Sequence, residues 1–223
     1  MDAIQNNPGN YIAVGENIHT TRVLLRKGKR IEEADGQEVI LYEAADGASR
    51  RLPIPDSVKS TQDYDDGRVK HVKIALAAAM GGVAEEAASG LAYLRALALH
   101  QEQAGATYLD INVDEFSLKP SEQKSAMEWL VGTVQTMSNL PLSIDSSNAD
   151  VIRVGLEACQ NNSGRPLLNS ASLERLEALD LAIAHDAQVV VTAAGERGMP
   201  SNTAERVANA SSMVDAALDK GIA

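Results

Sequence analysis

Short apolar segments alternate with longer amphipathic segments over most of the chain. Five segments are apolar on both faces, as strands covered by helices are, and they begin at Tyr11, Thr107, Leu140, Pro166 and Ala187. Apolar residues recur at helical spacing over residues 83–103, 122–137, 148–160, 172–185 and 203–220. Strand–helix units joined by a few residues predict a parallel sheet with helices packed on its outside.

Residues 27–73 break this pattern, because they are polar, carry clustered charges and have few helical periods. Within them, the segments EVILYEA and SRRLPI flank Asp46-Gly47, a dipeptide that favours tight β-turns. Pro53 and Pro55 are expected to end the second segment as a strand. We therefore predict a β-hairpin insertion after the first strand.

Each predicted strand ends in polar residues, which are Glu16-Asn17, Asp110 to Asn112, Asp145-Ser146, Asn169-Ser170 and Thr192. In an open sheet such residues would gather near one switch point, whereas in a barrel they form a ring around one mouth. The pattern favours a TIM (β/α)8-type barrel, formed as one domain over residues 1–223. Since a complete barrel has eight strands, we expect three strands to be missing from this sequence or supplied by another chain.

Composition and charge exclude several classes of protein. The formal net charge of −11 disfavours binding to nucleic acid or to anionic lipid, which both need dense Lys/Arg surfaces. No apolar run is long enough to span a membrane, and Met1 to Asn10 lacks the apolar core of a signal peptide. The single cysteine, Cys159, fits the helix pattern as a core residue and suits a reducing cytoplasm. We expect a cytoplasmic protein that handles a small molecule or a protein partner.

The acids and amides at the strand ends are the candidate chemistry: Asp110, Asn112, Asp145 and Asn169. Asp110 and Asn112 are two residues apart on one strand, so their side chains share a face. Carboxylates and amides without His or Cys make a poor transition-metal site, and we predict no bound metal. They suit a flat, nitrogen-rich heterocycle such as a pterin or a purine, because its ring N–H and exocyclic amine need acceptors.

Two other interpretations of these residues stay open. Any one of them can simply cap the following helix. A hard divalent cation can also be held by carboxylates, here Asp110, Asp114, Glu115 and Asp145. His19 and His100 have no spaced partner in the sequence and are interpreted as ordinary polar residues.

Several motifs together resemble the pterin-binding methyltransferase family. They are VGENIHTTR, GATYLDINVDEFSL, SAMEWLV, LPLSIDSSNADVIRVGLEAC and PLLNSASLE. That family includes methyltetrahydrofolate:corrinoid/iron–sulfur protein methyltransferase and the folate-binding domain of cobalamin-dependent methionine synthase. The similarity covers residues 11–24 and then 83 to the end, and it implies a barrel of the dihydropteroate-synthase-like kind.

The resemblance implies a pterin held at the C-terminal mouth of the barrel. Asp145 of IDSSN and Asn169 of LLNS match family positions that hydrogen-bond the pterin ring, and they are our candidate catalytic residues. Asp110 and Asn112 are expected to line the same cavity, and Glu16-Asn17 are further candidates for cofactor binding. The loop over residues 195–206 resembles a family loop that flanks the pterin. The family's remaining pterin aspartate, and its asparagine near the reacting nitrogen, lie on later strands and have no counterpart here.

The implied reaction moves a methyl group between N5-methyltetrahydrofolate, the folate substrate, and the cobalt of a corrinoid (cobalamin) carried by a partner protein or domain. Homodimers are common in the family and are expected here. Two alternatives stay open, namely a dihydropteroate synthase-like condensation and a non-catalytic folate-binding module that forms part of a split barrel. The insertion over residues 27–73 is interpreted as a lid, a docking surface for a corrinoid protein or a neutral decoration.

Overall fold

A computed structural model describes residues 12–160 and 163–222. The start of the first predicted strand, Tyr11, and the segment Met1 to Asn10 lie outside the described residues. The first strand, β1, covers Val14–His19. It runs past Glu16 and Asn17, the residues at which the sequence predicted its end.

The insertion that follows β1 is a small antiparallel unit. Its strands are β2 (Leu24–Leu25), β3 (Ile31–Ala34), β4 (Gln37–Glu43), β5 (Ser49–Pro53) and β6 (Arg68–Val69), with short helices α1 (Asp56–Lys59) and α2 (Gln62–Asp65) before β6. The predicted hairpin is confirmed as β4–β5, and Gly47 in its turn has a φ of +78°. β2 pairs with β6 and closes the base of the insertion.

The strand β3 was not predicted. It pairs with β4 on the side opposite β5 and completes a three-stranded sheet. Two of its four residues, Glu32 and Glu33, are acidic, so it lacks the alternation by which a half-buried strand is recognised. Charged residues are typical of edge strands, which β3 is, because they discourage pairing with another chain.

The rest of the chain alternates helix and strand. In order, its elements are α3 (His71–Met80), α4 (Ala84–Gln103), β7 (Tyr108–Asn112), α5 (Pro120–Val134), β8 (Leu142–Asp145), α6 (Ala149–Ala158), β9 (Leu167–Ala171), α7 (Glu177–Ala184), β10 (Gln188–Val191) and α8 (Thr203–Asp219). The strands β1, β7, β8, β9 and β10 form one parallel sheet in that order. This confirms the predicted α/β class, and within the described residues the sheet is an unclosed part of a barrel.

Helix boundaries differ from the prediction where proline or loop chemistry decides them. α5 begins at Pro120, whose fixed φ suits the first helical position, so the predicted cap Ser121 lies inside the helix. α7 begins at Glu177, five residues after the predicted start at Ser172. Asn148 and Asn202 cap α6 and α8 with their side chains. In the described part of the chain, every helix is too short or too polar to cross a lipid bilayer.

The core lies between the sheet and its helices. Ile144 of β8 packs against Gly155 of α6 and Met127 of α5, where an added Cβ on Gly155 would come within 2.6 Å of Ile144. Because side chains alternate along a strand, Asp145 and Ser143 on the same strand point away from these helices, to the inner face of the sheet. The polar residues of the strand ends are therefore directed to one side.

Candidate functional site

Four polar residues stand in one row across the first four strands of the sheet, β1, β7, β8 and β9. His19 of β1 is paired in register with Asn112 of β7, Asn112 with Asp145 of β8, and Asp145 with Asn169 of β9. Neighbouring strands of a sheet lie about 4.8 Å apart, so residues in register on one face are direct neighbours. The register therefore brings three of the predicted residues, together with His19, to one mouth of the sheet.

Hydrogen bonds join this row to Asp110, which lies fully buried one layer below it. The Nε2 atom of His19 is 2.7 Å from Oδ2 of Asp110. Asn169 donates from Nδ2 to both Asp110 oxygens at 3.4 Å, and Asn112 donates from Nδ2 to Oδ2 of Asp145 at 2.8 Å. We call these five residues, His19, Asp110, Asn112, Asp145 and Asn169, the mouth cluster.

The electrostatics of the mouth cluster centre on Asp145. Burial raises the pKa of its carboxyl above the ordinary value, and the negative charges of Asp110 and Asp114 act in the same direction. The hydrogen bond from Asn112 and the nearby His19 lower that pKa and so oppose the shift. Nδ1 of His19 lies 4.0 Å from Oδ2 of Asp145. Asp145 is thus a carboxylate whose charge depends on its polar neighbours.

A cavity of about 840 Å³ opens between the two edges of the sheet, away from these residues. A second cavity, of about 720 Å³, lies at the carboxyl ends of the strands, and we call it the mouth cavity. Its lining includes Asn112, Asp145, Ser170, Arg175, Thr192 and Met199. The loop over residues 195–206 reaches it through Met199 and Arg206. Asn112 and Asp145 face the cavity, with His19 and Asp110 behind them.

Glu16 and Asn17, the other predicted site residues, are not part of the mouth cluster. The side chain of Asn17 turns to the helices and donates to the carbonyl of Leu97 in α4 at 2.9 Å. Glu16 is exposed and pairs with Arg22 at 2.6 Å. The register of β1 against β7 shifts between Gly15 and Ile18, and this irregularity changes which residues face the mouth.

Two residues of the site were missed from the sequence. His19 was interpreted as an ordinary polar residue, yet it is buried and bonded to Asp110. Arg175 lies beside the mouth cavity and donates to the carbonyl of Ser146 at 3.0 Å. The position of His19 within VGENIHTTR, next to a predicted strand end, was the feature of the sequence that could have indicated a place in the site. Cys159 is confirmed as a core-packed residue, and burial raises the pKa of its thiol to about 12.

The alternative cation site is not assembled. Asp114 accepts hydrogen bonds from the Ser146 hydroxyl and the Ser147 amide, and Glu115 pairs with Lys70 at 2.9 Å. Donor atoms of His19, Asp110 and Asp145 do lie within 4.8 Å of one another. Because His19 is directed at Asp110 in a direct hydrogen bond, we interpret them as a hydrogen-bonded cluster and not as metal ligands. That the protein binds no metal stays a prediction.

Comparison with known proteins agrees with this geometry. The family described as "Pterin binding enzyme" matches residues 81–223, the part of the chain that holds β7 to β10. A methylcorrinoid:tetrahydrofolate methyltransferase of Eubacterium limosum is 27% identical over 132 residues, which are 56% of this chain and 46% of that protein. The chain thus spans about half the length of this curated relative. Because the family match covers more than half of its residues, the chain belongs to the pterin-binding enzyme family.

Proposed function

We propose that the protein moves a methyl group between N5-methyltetrahydrofolate and the cobalt of a corrinoid carried by a partner protein. The observation that carries this proposal is the pair of Asn112 and Asp145 at the mouth cavity, on the carboxyl ends of adjacent parallel strands. In barrel enzymes this end of the strands holds the active site. The family match supports a pterin as ligand, and the name of the Eubacterium relative supports methyl transfer involving tetrahydrofolate and a corrinoid.

Asp145 suits the edge of a pterin ring. Its ionised carboxylate accepts two hydrogen bonds side by side, and the pterin offers a ring N–H and an adjacent exocyclic amine. Asn112 holds one carboxylate oxygen through its Nδ2, and so orients Asp145 towards the cavity. Asn169 uses its Nδ2 on Asp110, which leaves its carbonyl oxygen available to accept from the ring.

The chemistry sets what these residues have to do. A methyl group on a tertiary amine leaves badly unless that nitrogen gains a proton, or a strong hydrogen bond, as the C–N bond breaks. The reduced corrinoid, when bound, supplies the nucleophile that accepts the methyl group. Asn112, Asp145 and Asn169 bind and orient the pterin, which fixes the position of the reacting nitrogen at the cavity. No covalent bond to Ser, Cys or His is needed.

The rim of the mouth cavity is open to a partner. Met199 is 75% exposed, and Ser147 and Arg206 beside it are also exposed. We propose this rim as the side from which the corrinoid protein approaches. The insertion packs elsewhere, with Tyr42 against Tyr93 of α4 at 4.8 Å between ring centroids. Two further expectations are a cytoplasmic location, from the single cysteine, and a homodimer, from the family; sedimentation equilibrium would test the dimer.

The direct test is methyl transfer from methyltetrahydrofolate to cob(I)alamin by the full-length polypeptide, followed by the absorbance of the corrinoid. Asp145→Asn and Asn169→Ala are each expected to weaken folate binding by about 1–3 kcal/mol, the cost of an unmade buried hydrogen bond. Asp150→Asn, on the exposed first turn of α6, is the matched control and should bind as the unaltered protein does.

Each other outcome has a distinct meaning. Folate binding without methyl transfer would identify a binding module. Turnover of a pterin pyrophosphate with p-aminobenzoate would identify a condensation enzyme. Unchanged folate affinity in both Asp145→Asn and Asn169→Ala would remove these residues from the site.

A further inference from the structure

Arg175 is fixed beside the residues that are proposed to hold the pterin. It lies in the loop between β9 and α7, and its Nη1 donates to the carbonyl of Ser146 at 3.0 Å. Its Nη2 lies 3.4 Å from Oγ of Ser170. Ser146 follows Asp145 in the chain, and Ser170 follows Asn169. The guanidinium group is therefore held at the mouth cavity, next to both proposed pterin contacts.

The positive charge of Arg175 is not matched by an acidic side chain. In the described part of the chain its guanidinium group contacts a carbonyl and a hydroxyl, and no carboxylate. Most of the other arginines are paired with an acid, for example Arg26 with Glu38 at 3.2 Å. In a chain of formal net charge −11 acidic partners are plentiful, so an arginine held at a cavity without one is available to an anionic ligand.

A second arginine lines the same cavity. Arg206 lies in the first turn of α8, is exposed, and has no acidic partner among the described residues either. Of the acids in the lining, Asp114 and Asp145 accept hydrogen bonds from other residues of the site, and Glu174, as far as the structure describes it, pairs with neither arginine. The cavity thus has a positive side, formed by the β9–α7 loop and the start of α8.

The proposed substrate has a part that suits such a side. Beyond its pterin, methyltetrahydrofolate carries a p-aminobenzoyl group that ends in a glutamate, which is a dicarboxylate. A two-ring pterin fills only part of a cavity of about 720 Å³, so the rest of the molecule has to extend towards the rim. A guanidinium group presents its N–H donors in a plane and can pair with a carboxylate through two parallel hydrogen bonds.

We propose that Arg175, with Arg206 at the rim, forms a subsite for the glutamate carboxylates of the folate tail. This inference rests on the proposed function, since it takes the ligand of the mouth cavity to be methyltetrahydrofolate. Arg175 contributes more than Arg206, because it is half-buried and held by two contacts, whereas an exposed charge is screened by water and salt. The consequence is that the protein binds a folate more tightly than a pterin without the tail.

The test compares two ligands, methyltetrahydrofolate and a 5-methyltetrahydropterin that lacks the p-aminobenzoylglutamate tail. Calorimetry gives the affinity of the full-length protein for each, and the ratio of the two affinities measures the contribution of the tail. The variants are Arg175→Gln, Arg206→Gln and Arg95→Gln. Arg95 is exposed on α4, outside the lining of the mouth cavity, and is the matched control. Thermal unfolding of each variant ensures that only folded protein is compared.

We expect the unaltered protein to bind methyltetrahydrofolate about 10-fold or more tightly than the pterin without the tail. Arg175→Gln should lower this ratio about 10-fold, which is the value of a hydrogen bond to a charged group, and should leave the affinity for the shorter ligand unchanged. Arg206→Gln should lower the ratio about 3-fold, because an exposed ion pair contributes less. Arg95→Gln should leave both affinities as they are in the unaltered protein.

A second measurement needs no variant. Between about 0.1 M and about 1 M salt the screening length falls from about 10 Å to about 3 Å, so ion pairs at a partly exposed site weaken. The affinity of the unaltered protein for methyltetrahydrofolate should therefore fall over this range, and its affinity for the pterin without the tail should change much less.

Equal affinity of the unaltered protein for the two ligands would overturn the inference. A folded Arg175→Gln variant that binds both ligands more weakly by the same factor would also overturn it, because this would indicate a structural role. So would a variant that keeps its folate affinity but loses methyl transfer to the corrinoid protein, because the arginine would then face the partner. Failure of the unaltered protein to bind either ligand would instead reject the proposed function, and the inference with it.

Discussion

Gly90 of α4 lies where that helix crosses α3, and replacing it with alanine is a sharp test of the fold. An added Cβ would lie 2.4 Å from the carbonyl oxygen of Ala75, 2.7 Å from the amide nitrogen of Ala79 and 3.1 Å from the Ala79 Cβ. The two shortest contacts are with backbone atoms of α3, which cannot rotate away. The two helices would therefore have to move apart.

The size of the effect follows from two opposing terms. Overpacking a tight contact costs about 1–3 kcal/mol, and contacts this short with backbone belong at the upper end. Alanine recovers about 1 kcal/mol of helix propensity over glycine. The free energy of unfolding should therefore fall by about 2 kcal/mol in Gly90→Ala. Gly132 is exposed in α5 and has open space around it, so Gly132→Ala should raise stability by about 1 kcal/mol.

Urea titration followed by circular dichroism measures both changes. Thermal unfolding provides a second measure, with a shift of about 2–4 °C expected per kcal/mol for a chain of this size. The free energy of unfolding should fall in Gly90→Ala and rise in Gly132→Ala. A Gly90→Ala protein as stable as the unaltered one, or equal shifts in both variants, would contradict the packing of α3 on α4.

Two further predictions concern polar groups, the partly buried Asp145 and the buried Tyr93. The pKa of Asp145 is raised in the folded protein, mainly by burial, above the value of about 3.9 for an unfolded chain. Between these two pKa values the folded protein holds a proton that the unfolded chain has released. The free energy of unfolding therefore falls as pH rises through this window. Asp145→Asn should remove this pH dependence. Thermal unfolding measured at several pH values should show that, at neutral pH, the variant unfolds at a higher temperature than the unaltered protein. The Tyr93 hydroxyl lies 3.0 Å from Nδ1 of His71 and accepts a hydrogen bond from Arg30 at 2.8 Å. Tyr93→Phe removes this hydroxyl, and urea titration should show that the free energy of unfolding falls by about 1–3 kcal/mol. Tyr42→Phe, on the neighbouring ring, is the control, and equal losses in both variants would contradict a special role for the Tyr93 hydroxyl.

Much of the sheet could be predicted because its signals are local. The strands β7 to β10 are short apolar runs between amphipathic helices, and the structure has them within two residues of the predicted ends. Polar residues at the carboxyl ends of parallel strands must meet at one edge, so the proximity of Asn112, Asp145 and Asn169 followed from the strand assignment alone. The structure adds the register that makes them direct neighbours.

The first strand could not be predicted as well, because its faces depend on an irregularity. Plain alternation from Gly15 gives no warning that the register slips before Ile18. Asn17 lies on the helix face with Gly15 by plain alternation and turns to Leu97 of α4, whereas the slip brings His19 to Asp110. A single displaced residue exchanges the faces of everything after it. The error over Glu16 and the omission of His19 therefore have one common cause, and Asn17 faces the helices in either register.

The omission of His19 also has a reason beyond strand geometry. Its partner Asp110 is 91 residues away in the chain, so no spacing rule brings the two together. Asp145, by contrast, stands in a recognisable sequence context, IDSSN. His19 lies near that carboxylate, with Nδ1 4.0 Å from Oδ2, only because the fold brings them together, and any element of a fold can supply such a neighbour. Candidate site residues that stand in a motif can thus be predicted from the sequence, whereas their buried partners become apparent only once the sheet is assembled.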